Sequence, residues 1–132
     1  MARAPPQKAS APAVVDEGGD CAILLITGMP SSTVIDGEQK VLRNIFVGKK
    51  VPFIEVDGLD VAMQKQRNAL FAVSGLRGKY PQVFLRVSGV TTFVGDFEKA
   101  SSLNDCDDIP ADVLAHNPNI ETLSTTFAQL MR

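Results

Sequence analysis

Two cysteines, Cys21 and Cys106, one histidine, His116, and no tryptophan leave this 132-residue sequence short of metal- and redox-bearing side chains. The wide separation of the cysteines excludes a C-x-x-C motif, a Cys-rich zinc finger and a dense disulfide framework. A single imidazole leaves no Cys/His metal constellation. Long apolar runs are missing too: the longest, Cys21 to Ile26, falls far short of the roughly twenty residues that span a bilayer. No sign of charge dominates, since 13 basic against 15 acidic residues give a net −2. That excludes a globally basic nucleic-acid binder. No metal, cofactor or membrane partner is implied.

What is present is ordinary globular composition, 45% hydrophobic and 21% charged, in a length that suits one domain. Charge is uneven: residues 1 to 20 sum to −1, residues 21 to 103 to +3 and residues 104 to 132 to −4. The first twenty residues set Pro5, Pro6 and Pro12 among alanines, a composition that buries too little to offset ordering entropy. They are expected to form a flexible tail. With no apolar stretch behind the early charges, and prolines that break any amphipathic presequence helix, a cytoplasmic protein is expected.

Cys21 to Thr27 is a continuous apolar run, the pattern of a central strand buried on both faces. Gly28 to Thr33 follows with a breaker, a proline and three hydroxyls suited to a helix start. Val34, Val41, Leu42, Ile45 and Phe46 recur at helical spacing up to Gly48. A second strand, Val51 to Val56, leads to Asp60 as a helix cap. Met63, Leu70 and Val73, with Ala62 and Ala69, then mark a buried stripe that ends at Ser74-Gly75. Gln82 to Val87 and Val90 to Val94 read as a hairpin about Ser88-Gly89. Asp96 caps a last core helix to about Leu103, with Phe97 inward. An acidic linker, Asn104 to Asp108, and a helical turn over 110–115 follow. Asn117-Pro118 then opens a terminal amphipathic helix with Ile120, Leu123, Phe127, Leu130 and Met131 on one stripe. That stripe either docks on the domain or meets a partner.

The order βαβαββα, with a proline opening the third strand, is that of the thioredoxin fold. An α/β domain is expected over 21–103, with a four-stranded mixed sheet, flanking helices and an added C-terminal helix. The chain resembles the glutaredoxin-like SH3-domain-binding glutamic-acid-rich protein family at Ser32 to Gln39 with Val41, at Tyr80-Pro81-Gln82-Val83-Phe84, and at Gly95-Asp96-Phe97-Glu98. The family name implies SH3-domain binding through a proline-rich motif, and here the sequence departs from it. Tyr80-Pro81-Gln82 supplies one proline where P-x-x-P needs two. A glutamate-rich tail is also absent.

The resemblance sets Met29-Pro30-Ser31-Ser32 where glutaredoxins carry C-P-x-C. There a helix N-terminus stabilises a thiolate. A thioether has no proton to lose and an unassisted serine hydroxyl stays protonated, so neither exchanges with a disulfide. No oxidoreductase activity is expected. A serine triad built on His116 is not expected either. Cys106, among Asp105, Asp107 and Asp108, sits where acidic neighbours disfavour a thiolate.

Binding is the function that outlasts the thiols. The resemblance places Tyr80-Pro81 at the cis-proline position, where the preceding backbone pairs with an extended peptide, glutathione in glutaredoxins. Gly95-Asp96 matches the element that holds its γ-glutamyl end, and Arg67, Arg77 and Lys79 can face its glycyl carboxylate. The lysine usual before the active site is replaced by Thr27-Gly28. Each residue also has a purely structural role open to it: Pro81 as a turn, Asp96 as a cap, Gly95 as a bend. The expectation is a redox-inactive interaction module, an adaptor or regulatory subunit and a monomer, that binds a protein through this groove or the terminal helix. The alternative is binding of a glutathione-type thiol, or redox modulation, without catalysis.

Overall fold

The computed structural model describes residues 19–130. The expected tail up to residue 18, and Met131 of the terminal stripe, lie outside the described residues. A four-stranded mixed sheet has the order β2-β1-β3-β4, with strands β1 (Cys21–Ile26), β2 (Phe53–Asp57), β3 (Gln82–Val87) and β4 (Val90–Asp96). β1 pairs with β2 in parallel and with β3 antiparallel, and β3 pairs antiparallel with β4. This is the thioredoxin-like α/β arrangement.

β1 is buried along its whole length because both of its faces are covered. Ala22, Leu24 and Ile26 pack with Leu42 and Phe46 of α1 (Thr33–Gly48) and with Ala100 and Leu103 of α3 (Phe97–Cys106). Cys21, Ile23 and Leu25 turn to the other side, against Leu70 and Phe71 of α2 (Gln64–Ser74). The alternation of side chains along a strand sorts one apolar run into two cores.

The turn chemistry expected from sequence operates as local physics demands. Ser88 and Gly89 both have positive φ, 53° and 79°, giving the two-residue turn whose twist matches a hairpin. Gly75 ends α2 in the left-handed conformation at φ 74°. Two stripe assignments change. Val34 and Val41 of α1 are exposed while Gln39 is buried, and Val73 of α2 is exposed while Phe71 is buried. Helical spacing narrows the inward face to a few neighbouring positions, and here the tertiary contacts select among them.

The C-terminal region departs most from expectation. Asn104 to Asp108 is not a linker, since α3 continues to Cys106. α4 (Ala111–His116) follows, and Asn117 and Pro118 lie between helices rather than opening one. The terminal helix is only the single turn α5 (Leu123–Thr126), capped by Thr122, followed by a 3-10 turn at Ala128–Leu130. Thr122 and Thr125 form a reciprocal capping pair, a signal stronger here than the upstream Asn-Pro. Leu123 and Phe127 are fully buried in the α1/α3 core, with the Phe127 ring 5.6 Å from that of Phe46 in an edge-on contact. These two residues of the terminal stripe are docked on the domain.

Asp107 fastens that segment. Its carboxylate accepts hydrogen bonds from the Ser124 backbone N–H (3.0 Å) and hydroxyl (3.0 Å) and pairs with Lys49 Nζ at 3.1 Å. Near the N-terminal boundary, Gly19 and Asp20 are held to the hairpin end rather than free. The Gly19 carbonyl accepts from Arg86 Nε, and Asp20 accepts from the Ser88 N–H.

Candidate functional site

The backbone at the end of β1 sets the geometry of the site. Ala22 and Ile26 turn their hydrogen-bonding groups toward β2: Ala22 donates to the Pro52 carbonyl, and the Ile26 carbonyl accepts from Gly58. Leu25 therefore faces β3, where it pairs with Gln82. Extending that antiparallel register by two residues sets Thr27 opposite Tyr80. The pair does not form. The Gln39 side chain takes both Thr27 backbone groups, accepting from its N–H at 2.9 Å and donating to its carbonyl at 3.1 Å. The backbone N–H and C=O of Tyr80 are left without a hydrogen-bond partner among the described residues.

Asp57 and Gly58, at the end of β2, join the surrounding loops. Asp57 Oδ1 accepts from the Gly28 and Leu59 N–H groups, each at 2.9 Å, so the loop after β1 and the loop after β2 share one carboxylate. A Cβ on Gly28 would lie 2.6 Å from Asp57 Oδ2, so the carboxylate would have to shift to admit one. A Cβ on Gly58 would collide with the Tyr80 phenol. The Gly58 carbonyl accepts from Arg67 Nη1 at 3.1 Å. Burial pushes the Tyr80 phenol pKa up, and the nearby positive charge of Arg67 opposes the rise. The Tyr80-Pro81 peptide bond is cis, as the resemblance implies.

Met29, Pro30, Ser31 and Ser32 form the loop between β1 and α1. Met29 is 78% exposed and its N–H donates to the Thr27 hydroxyl. Ser32 is the N-cap of α1, accepting from the Ile35 N–H at 3.2 Å. Ser31 is exposed. The lone histidine, His116, is not beside either serine hydroxyl: it lies on α4 with its Nδ1 at 2.8 Å from the Asp112 carbonyl oxygen. The loop carries no thiol: Cys21 begins β1 and Cys106 ends α3, and both are free.

Gly95 and Asp96 lie at the same end of the sheet, since Gln82 pairs with Asp96. Their roles here are structural. Asp96 caps α3 by accepting from the Lys99 N–H at 3.0 Å, and a Cβ on Gly95 would strike the Lys99 side chain. Across from them, burial raises the Glu38 carboxyl pKa, and the negative charges of Asp96 and Glu98 add to the rise. Arg77 and Lys79 are exposed in the turn that leads into Tyr80.

The structure thus brings the Gly28–Met29 loop, Tyr80 and Arg67 to Asp57–Gly58, while Pro81 follows Tyr80 and Arg77 and Lys79 lie in the exposed turn before it. Gly95, Asp96 and Glu38 form a separate acidic margin. Sequence reasoning missed Gln39 and Asp57. A glutamine inside the apolar stripe of α1 was the available signal for the first, and an Asp-Gly pair closing a strand was the signal for the second. Among the described residues no group of His, Cys, Asp and Glu can hold a metal ion, and no helix is long and apolar enough to cross a membrane. No protein-family model matches the chain, and no curated protein sequence matches it.

Proposed function

We propose that this chain is a redox-inactive, glutaredoxin-like interaction module that binds an extended segment of a protein partner in the groove between the Thr27–Met29 loop and Tyr80. One observation carries the reading: among the described residues the Tyr80 backbone groups have no hydrogen-bond partner, and they lie beside a loop with no thiol. An extended peptide gains main-chain hydrogen bonds at such an edge and needs no reactive sulfur to do so. Resemblance to the SH3-domain-binding glutamic-acid-rich protein family, in three motifs at matching spacing, supports the same reading. Thiol–disulfide exchange is outside the repertoire of a methionine and two serines. Two free cysteines suit a reducing compartment, so the cytoplasm is the proposed location.

Glutathione is the weaker occupant. Asp96, which the γ-glutamyl end needs, is engaged by the first turn of α3. A photoreactive amino acid at Met29 tests the main reading against one at Val47, which is exposed on α1. The expected result is a protein adduct in cell extract from position 29 only. Identical adducts from both positions, or none from 29, would overturn it. The full chain is expected to leave a mixed glutathione disulfide unreduced.

A further inference from the structure

We infer that the partner segment is acidic: an extended peptide whose carboxylates sit on Arg67, Arg77 and Lys79 while its backbone pairs with Tyr80. The inference rests on the groove reading above and adds the chemistry of the occupant.

Charge is segregated along the chain in a way that composition conceals. Residues 61–95 contain Lys65, Arg67, Arg77, Lys79 and Arg86 and no aspartate or glutamate. Arg86 is buried and bonded to the Gly19 carbonyl and Cys21, so it takes no part. The remaining four lie on α2 and the turn after it, and none forms an ion pair among the described residues. Outside this stretch Lys40, Arg43, Lys49 and Lys99 each have a carboxylate partner, and Lys50 has none among the described residues. Arg67 is held in position by Gly58 and Asn68, which hydrogen-bond its guanidinium without neutralising it. Arg77 and Lys79 stand three residues and one residue before Tyr80.

Two carboxylates also lie close to this margin, held by backbone N–H groups that leave their charge in place, so the four cations there stand against two anions. Asp57 accepts from Gly28 and Leu59, and Asp60 accepts from the Ala62 N–H. The opposite margin is acidic, where the negative charges of Asp96 and Glu98 act on Glu38. An acidic peptide is therefore drawn to the Tyr80 side and repelled from the α1/α3 side. Met29, Leu59 and Val61 supply apolar surface nearby, at 78%, 52% and 80% exposure. Because an extended chain presents alternate residues to opposite faces, the fitting sequence alternates acidic and apolar residues.

The test has two arms on the full chain. In the first, a random-octapeptide phage library is selected against the wild type. In the second, the peptide Glu-Val-Glu-Leu-Glu-Val and its all-glutamine counterpart are titrated while the amide signals of Met29, Gly58 and Tyr80 are followed. Acid-enriched selected sequences are expected, with affinity falling about ten-fold in Arg77→Ala/Lys79→Ala and with added salt. Equal binding of the glutamine peptide, or selection of neutral or basic sequences that move these amides, overturns the acidic occupant and leaves the groove standing. If no library sequence and neither peptide moves them, both readings fall.

Discussion

Gln39 of α1 hydrogen-bonds both backbone groups of Thr27, so a side chain occupies the place a strand neighbour would take. This pairing ends β1 and keeps the Thr27 loop apart from Tyr80. The amide is buried, and what it satisfies is buried with it.

Replacing Gln39 with leucine therefore has two expected effects. Stability falls by about 1–3 kcal/mol, the usual cost of leaving buried polar backbone unsatisfied, as measured by urea unfolding. Thr27 also becomes free to pair with Tyr80, which would slow hydrogen exchange at the Tyr80 amide and weaken partner binding. Unchanged exchange at Tyr80 would show that Gln39 does not hold the groove open.

Gly58→Ala drives a methyl group into the Tyr80 phenol. The ring must shift, at an expected cost of about 1–3 kcal/mol, and it takes the Tyr80 backbone with it. Cross-linking from position 29 should fall accordingly. Gly48→Ala is the control, because a Cβ there meets nothing within 4 Å. Equal melting temperatures for the two variants would contradict the packing.

The Asp107 clasp makes docking of the C-terminal segment pH-dependent. Burial pushes its carboxyl pKa up, but hydrogen bonds from the Ser124 N–H, Lys49, the Ser124 hydroxyl and Thr122 together outweigh burial and leave the pKa below its ordinary value. A depressed folded-state pKa contributes stability that is fully present above the unfolded value, about 3.9, and is lost as pH falls through the folded one. Asp107→Asn is thus expected to destabilise the protein at neutral pH, with the difference from wild type narrowing in acid. Denaturant unfolding at pH 7 and again below pH 3.9 measures both.

The two thiols are expected to react differently. Cys21 is buried, and burial raises its thiol pKa although the charge of Arg86 opposes the rise. Cys106 is partly exposed at the end of α3. A chromogenic disulfide reagent should therefore titrate Cys106 in native protein and Cys21 only after unfolding. Fast reaction of both in the native state would mean that the N-terminal end of β1 opens readily.

Much of this was legible in the order of residues. The continuous run in β1, the Ser88-Gly89 turn, the Ser32 and Asp96 caps and the glycine ending α2 are local signals, written in short-range sterics and hydrogen bonding. So was the missing C-x-x-C, which needs no structure to read. The C-terminal region was misread because periodicity there spans separate short elements. Asn117-Pro118 looks like a helix start in isolation, yet Thr122 and Thr125 cap the turn that forms, and Phe127 settles beside Phe46.

The sequence by itself determined the strand and helix order, the turn types and the absence of a sulfur nucleophile at the loop after β1, since each depends on neighbours along the chain. Only the tertiary structure decided that Gln39 meets Thr27, that Asp57 ties Gly28 to Leu59, and that the Tyr80 backbone has no partner among the described residues. Those contacts join residues distant in sequence, and their partners are chosen by how two helical layers pack against one sheet.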